Sequence, residues 1–365
     1  YGRRMATISF DRVGLELDGR VVLEDVTLAV PDGALMTVIG PSGSGKSSML
    51  RLVSGLAGPT SGSVTIDGVP VDRRSPWMNR VAMVFQDDAL YEHLTVGSNL
   101  EFPWRVQGHD RASATEEAQS AAKRVGIRRF WSRFPRTLSG GQRGQVATAR
   151  ALSRPDPTIV LLDEPLAQAD AGIRRRFRSE IRRLHEESGL TMLLATNDQS
   201  ESMSVSTHLA VLMDGRIRQV GDPMDVYERP AHADVAAFVG SPAMNLIPAK
   251  AVRRDGVLEI GDDRVAFDLP DGVPSRVLAG CYPSELRVAP PGTTFDHTIH
   301  VTIGRVEDLG SETRAYFGLG RHPGVGFSVS LPADAGMEAG ARVELTWVEA
   351  SLRLFDSATG EAIPM

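Results

Sequence analysis

Nine consecutive residues, Gly40, Pro41, Ser42, Gly43, Ser44, Gly45, Lys46, Ser47 and Ser48, have the types and spacing of a loop that holds phosphate. Glycines let successive N–H groups converge on an anion, and a helix starting there presents its positive end to the same point. Lys46 would bring a compact positive charge to the β/γ-phosphates, and Ser47 a hydroxyl to Mg²⁺. The chain has three lysines, Lys46, Lys123 and Lys250, against thirty-seven arginines. In a sequence that otherwise uses the planar guanidinium, a lysine here fits a site needing a flexible point charge. A Gly/Ser turn with an incidental lysine would carry the same letters. The flanks argue against it: Leu35 to Ile39 is an apolar run of strand length, and Met49, Leu50, Leu52 and Val53 follow a helical pattern.

Three further stretches could share that chemistry. Ile159 to Leu162 is a continuous apolar run, the mark of a parallel strand covered on both faces, and it delivers Asp163 and Glu164 to its C-terminal end. Asp163 is placed to hold Mg²⁺ through water, and Glu164 to orient and polarise an attacking water. Taken alone, a capped strand end with two solvated acids reads equally well. Leu138, Ser139, Gly140, Gly141 and Gln142 open a helix, with Ser139 as N-cap and the glycines baring its amides, so this is a second anion site. One nucleotide does not need two such sites on one chain. The economical expectation is that this one serves a nucleotide held by a second protomer. Gln86, at a strand end, offers a neutral amide that could sense metal or water.

These sites need elements to carry them. Ala6 to Val30 reads as two strands turned at Asp18-Gly19, Gly62 to Val71 as a hairpin turned at Asp67-Gly68, and Arg80 to Phe85 as a strand. Leu94 to Arg136 is helical in composition. A helix follows over 171–187, with Ile173, Phe177, Ile181 and Leu184 on one face and a solvated arginine face (Arg174, Arg175, Arg178, Arg182) opposite. Thr191 to Ala195 is another buried strand, and 209–220 a hairpin turned at Asp214-Gly215. Around Pro230 to Pro242 the composition changes; beyond it no long helical period survives and strand-length segments alternate with Gly-rich turns, which predicts an all-β domain, a small barrel.

Composition sets the outer bounds. At 365 residues there is room for two or three domains. A net charge of −6 argues against general affinity for nucleic acid or anionic membrane. Cys281 is the sole cysteine, which leaves no intrachain disulfide or thiolate cluster and fits a reducing cytosol. His297 and His300 would point to opposite faces of a strand and make a poor metal pair. No apolar run is long enough to span a bilayer, so membrane association is expected only through a partner.

Together the loop 40–48, the stretch 138–142 and the strand 159–165 resemble the ATP-binding-cassette ATPases in order and spacing, over roughly residues 6–240. The resemblance implies an α/β fold: a P-loop NTPase domain over 5–238, with a RecA-like core, an antiparallel β subdomain and a helical insert at about 88–150. An all-β, OB-like domain over 239–365 follows. It implies ATP and Mg²⁺ as cofactors, with Glu164, Gln86 and Asn197 as catalytic residues and Ser47, Gln86 and Asp163 at the metal. It also implies a head-to-tail dimer in which Ser139, Gly140, Gly141 and Gln142 close over the opposite protomer's ATP. A groove beside Gln86 and Tyr91 to Val96 would receive a helix of a membrane-spanning partner. Residues 221–245, with 306–312 and 354–360, look like the linker and C-terminal TOBE domain of maltose-type sugar importers. That implies carbohydrate or polyol cargo, two permease subunits, an extracytoplasmic binding protein acting indirectly, no nucleic acid, and a peripheral place on the cytoplasmic face of the membrane.

Three positions depart from the family's pattern. Asn197 stands where the family has a histidine facing the γ-phosphate, the D-loop reads Ala167, Gln168, Ala169, Asp170, and Leu17 or Asp18 stands near the place of the adenine-stacking aromatic. These departures keep open a second expectation, a weakly active, nucleotide-responsive binding or regulatory subunit paired with a second ATPase or regulator.

Overall fold

The computed structural model describes residues 6–71, 80–155, 157–165, 171–290, 295, 297–319, 326–348 and 351–365. The D-loop at 167–170 lies outside them. The chain divides into two compact units, Tyr1–Met224 and Asp225–Met365.

The first unit is built on a six-stranded sheet in the order β10-β9-β3-β8-β7-β6. Its strands are β3 (Leu35–Ile39), β6 (Val81–Val84), β7 (Ile159–Asp163), β8 (Thr191–Thr196), β9 (His208–Met213) and β10 (Arg216–Gly221). All neighbours are parallel except the β9–β10 hairpin. Every residue of β3, β7 and β8 is buried, which is why these segments read as unbroken apolar runs rather than alternating ones. The strand period of two still sorts them: Val160 and Leu162 join one core, Ile159 and Leu161 the other. The first core is closed by α2 (Val96–Val106), α3 (Arg111–Arg124), α4 (Gly140–Leu152) and α5 (Ala171–Ser188). The second is closed by α1 (Lys46–Ser54) and by a four-stranded antiparallel sheet. That sheet runs β2-β1-β4-β5, from β1 (Ile8–Leu17), β2 (Arg20–Val30), β4 (Ser61–Ile66) and β5 (Val69–Pro70). A short α6 (Gln199–Val205) follows β8.

The second unit has two antiparallel sheets around one core. One is β13-β12-β11-β14-β20-β21, the other β15-β19-β16-β17-β18. In chain order the strands are β11 (Asn245–Val252), β12 (Val257–Ile260), β13 (Asp263–Ala266), β14 (Arg276–Cys281), β15 (Arg287–Val288) and β16 (Thr298–Asp308). Then come β17 (Glu312–Leu319), β18 (Phe327–Pro332), β19 (Arg342–Thr346), β20 (Arg353–Asp356) and β21 (Ala362–Ile363). Leu258, Val277, Ala279 and Leu354 of the first sheet meet Val301, Ile303, Phe317 and Leu345 of the second. Two polar ties join the sheets. Asn245 donates to the Ser328 carbonyl at 2.8 Å and accepts from its N–H at 2.9 Å. Asp263 accepts from the His300 N–H at 2.7 Å and lies 2.7 Å from His300 Nδ1.

The compact unit begins at Asp225, ahead of residue 238, because the intervening residues pack on the β sheets. Tyr227 stacks on Tyr282 at 4.1 Å and 9°, and the Tyr282 hydroxyl donates to the carbonyls of Tyr227 and Val239 at 2.9 and 3.3 Å. Ala233 and Ala236 are buried against Met244, Tyr282 and Phe355.

Candidate functional site: a phosphate loop joined to a carboxylate strand end

Residues 40–45 turn the chain from β3 into α1, and two glycines are required there. A Cβ on Gly40 would lie 1.9 Å from the Leu212 carbonyl oxygen, and Gly45, at φ 106°, would press one onto Leu23 at 2.6 Å. Gly45 is the N-cap of α1, with no side-chain cap and no acid in the first turn. The helix therefore opens with amides that no side chain of its own cap satisfies. The Ser44 hydroxyl is buried in the loop without a hydrogen-bond partner. Such an orphan costs stability unless a ligand answers it.

Lys46 is 5 % exposed, and its Nζ donates to the carbonyls of Gly40 at 2.8 Å and Pro41 at 2.9 Å. Burial pushes its pKa down, while Glu164 and Asp163 oppose that shift. Asp163, at the end of β7, is 2 % exposed and accepts a hydrogen bond from Ser47 Oγ at 2.8 Å. Burial raises its pKa, against the Ser47 hydrogen bond and the charges of Arg51 and Lys46. The Ser47–Asp163 contact spans 116 residues of chain and welds the phosphate loop to the carboxylate strand. Two hard oxygens this close form too small a set to cage a cation alone. They suit Mg²⁺, which takes one or two protein oxygens and completes its octahedron with phosphates and water.

Glu164 leaves β7 at φ 42°, a strained setting for a non-glycine residue, with its N–H held by the Ala195 carbonyl at 2.9 Å. That turn aims its carboxylate at Gln86, whose Nε2 donates to Oε2 at 3.4 Å. Gly140 and Gly144 line a narrow cleft with Gln86, Asp88, Glu164 and Pro165. The expected residues 40–48, 86, 163 and 164 are thus gathered along the C-terminal edge of the parallel sheet. Ser139 and Gln142 instead engage each other: Ser139 Oγ accepts from Gln142 N at 3.4 Å, and Gln142 Oε1 from Ser139 N at 3.1 Å, a reciprocal cap on α4.

Asn197 is exposed, directly after β8. Its neighbours are locked. Asp198 caps α6 through Glu201 N at 3.0 Å and pairs with Arg178 at 2.9 Å, and Thr196 donates to the buried Glu201 at 2.6 Å. This corrects the reading of the α5 arginine face as uniformly solvated, since Arg178 is only 21 % exposed and committed to Asp198. Sequence reasoning also missed Arg143 and Arg150. Arg143 grips Asp88 through Nε–Oδ2 at 2.8 Å and Nη2–Oδ1 at 3.0 Å, and reaches Glu92 at 2.6 Å; these bonds raise its pKa. The signal was present in their seven-residue spacing on one helix and the acids at 87, 88 and 92.

Among the described residues, no helix is long and apolar enough to cross a membrane. Residues 23–167 match the ABC transporter family. The chain is 37 % identical to the sn-glycerol-3-phosphate import ATP-binding protein UgpC of Chromobacterium violaceum, over 98 % of this chain and 96 % of that protein. It is 35 % identical to the sulfoquinovosyl glycerol transport ATP-binding protein SmoE of Agrobacterium fabrum, over 98 % and 100 %. Its fold is similar to the dimeric structure of MJ0796, a bacterial ABC transporter cassette, with 29 % identity, a TM-score of 0.55, and coverage of 59 % of this chain and 98 % of that one. A post-hydrolysis state of the same cassette bound to ADP and Pi gives 28 % and 0.54. A phosphate loop joined to a carboxylate strand end, on a chain similar to these relatives over almost its whole length, belongs to an ATP-binding subunit of the ABC transporter family.

Proposed function

We propose that the chain binds and hydrolyses ATP to power import of a polyol, glycerol-phosphate or carbohydrate-type solute. The observation that carries the ATPase reading is the Ser47–Asp163 junction beside buried Lys46 and the orphaned Ser44 hydroxyl. The amides of the loop and of α1 bind the polyphosphate, Lys46 exchanges its two carbonyl partners for phosphate oxygens, and Ser44 gains the acceptor it lacks. Ser47 and Asp163 would hold Mg²⁺, which neutralises charge on the phosphates. Glu164 takes a proton from the attacking water and Gln86 orients that water. Asn197 contacts the γ-phosphate with an amide that carries no charge.

The cargo follows from the relatives, whose names specify sn-glycerol-3-phosphate and sulfoquinovosyl glycerol. A head-to-tail dimer, in which Ser139, Gly140, Gly141 and Gln142 close on the partner's ATP, is supported by the dimeric cassette of similar fold. Two permease subunits and a peripheral place at the inner membrane face complete the assembly. The division into an ATPase domain to residue 238 and a TOBE-like domain beyond it is part of the same reading.

The test is Mg²⁺-dependent ATP turnover by the purified full chain, alone and with its transmembrane partners. Turnover that rises on assembly supports the importer ATPase. ATP binding without turnover in either setting would favour the second reading, a nucleotide-responsive regulatory subunit, which the exposed Asn197 at the histidine position makes specific.

A further inference from the structure

Asp88 and Ala89 have φ of 58° and 46°, two consecutive left-handed positions without a glycine. Aspartate reaches that region with help from local bonds, as Asp88 Oδ1 accepts from the Leu90 N–H at 3.3 Å, but alanine holds it only where its surroundings impose it. The imposing groups are two arginines of α4, seven residues apart and so on one helix face. Arg143 clasps the Asp88 carboxylate with both arms of its fork. Arg150 donates to the Ala89 carbonyl at 2.7 Å and the Asp88 carbonyl at 3.3 Å, with its guanidinium 5.5 Å from the Tyr91 ring centre. The chain beyond is pinned separately: Asn99 of α2 accepts from the Tyr91 N–H and donates to the carbonyls of Tyr91, Leu94 and Thr95. Two residues upstream of the strained turn, Gln86 reaches Glu164 across 3.4 Å, a contact long enough that a small backbone shift breaks it.

We propose that Arg143 and Arg150 are positioning residues: they hold the left-handed turn at 88–89 and thereby set Gln86 against Glu164. The proposal rests on the reading of Gln86 and Glu164 given above. Both arginines make these contacts to residues 88–92 and act through the geometry of that turn. Because α4 begins at Gly140, the helix that opens at 139–142 also fixes the turn beside Gln86. A lysine could supply charge but not the two-point grip that spans adjacent carbonyls.

The test uses the full chain. Arg150→Ala should lower kcat about ten-fold with KM for ATP unchanged, as loss of an alignment felt in the transition state requires. Amide hydrogen exchange at Asp88, Ala89 and Leu90 should quicken by a similar factor. Arg150→Lys, which keeps the charge and much of the packing, should show a smaller loss of the same kind with an unchanged Tm. The decisive variant is the double substitution Arg150→Ala, Ala89→Gly. Glycine adopts the left-handed conformation without steric cost, so kcat should return to within about three-fold of the parent. Unchanged exchange and kcat in Arg150→Ala would overturn the proposal, and so would failure of Ala89→Gly to restore kcat. The exchange measurement needs no nucleotide, so it decides whether the clamp exists even if the ATPase reading fails on turnover.

Discussion

Lys46 and Asp163 in the first unit are 5 % and 2 % exposed, while in the second unit the side chains of Lys250, Arg264 and Arg305 are 63 %, 54 % and 55 % exposed and pair with acids across the strand surface. The buried polar groups of the second unit are mostly neutral, and Asn245 and Ser328 satisfy each other. Burying a charge costs far more than burying a matched amide pair. The first unit therefore buries charged groups at one sheet edge, where neutral carbonyls and a hydroxyl offset part of their cost and a bound ligand would offset more. The second spends its polarity on holding two sheets together. Chemistry and scaffold can be told apart by what kind of polarity is buried.

The largest expected effect tests the first half of that contrast. Lys46→Ala should weaken ATP binding by about 10³-fold, on the scale of a lost charge-assisted contact in a buried site, with the second unit's unfolding unmoved; calorimetry showing full affinity would break the assignment. Glu164→Gln should keep ATP affinity and slow hydrolysis by about 10²-fold or more, since the amide holds water without taking its proton. Gel filtration with ATP and Mg²⁺ should then show the dimer rise, and an unchanged profile would count against the head-to-tail dimer.

On the other side, Asn245→Ala leaves the Ser328 N–H and carbonyl buried without partners and should cost about 1–3 kcal/mol. Thermal melts should show the loss while ATP affinity stays level; a shift in ATP affinity would mean that the two units do not divide chemistry from scaffold. Asn197→His should raise kcat by up to about ten-fold in the assembled transporter with little change in ATP affinity, because the ring reaches further and can carry charge. A flat or lower kcat would mean that the asparagine is already compensated.

The smallest effect is a pH response of the second unit. The Asp263 hydrogen bond raises the pKa of His300, with Glu344 adding to it. A raised value in the folded state means stabilisation that is complete below the ordinary value of 6.5 and fades as pH rises through the folded one. His300 is 67 % exposed, so solvent screens most of it. The transition that Asn245→Ala lowers should fall by only about 1 °C between pH 6 and 8. In His300→Gln that slope should vanish.

What was legible in the sequence was whatever local pattern dictates. Unbroken apolar runs at 35–39, 159–162 and 191–195 became the fully buried parallel strands, and the turn pairs at 18–19, 67–68 and 214–215 became hairpins. The loop at 40–48 sits where its glycines require. What stayed hidden depended on distance along the chain. Arg143 meets Asp88 across 55 residues, and Arg178 meets Asp198 by the way α5 returns beside β8. Periodicity marks which face of a helix is polar but not which acid that face will find. The packing of 225–238 on the β sheets was hidden likewise, since Tyr227 recognises Tyr282 through stacking geometry that no spacing announces.

The strand order carries a consequence for how the protein is made. β3, which leads into the phosphate loop, is flanked by β8 and β9, strands that begin more than 150 residues later in the chain. Gly40 is packed against Leu212, and Ser47 finds Asp163. A ribosome therefore delivers the phosphate loop before its flanking strands, which are complete only once residue 213 has emerged. Pairings of such long separation form slowly. Until then the apolar edge of β3 is open to wrong partners, and domains that fold as units during synthesis stay exposed for that interval. The phosphate loop is made long before the strands that enclose it, so it is finished only when they arrive.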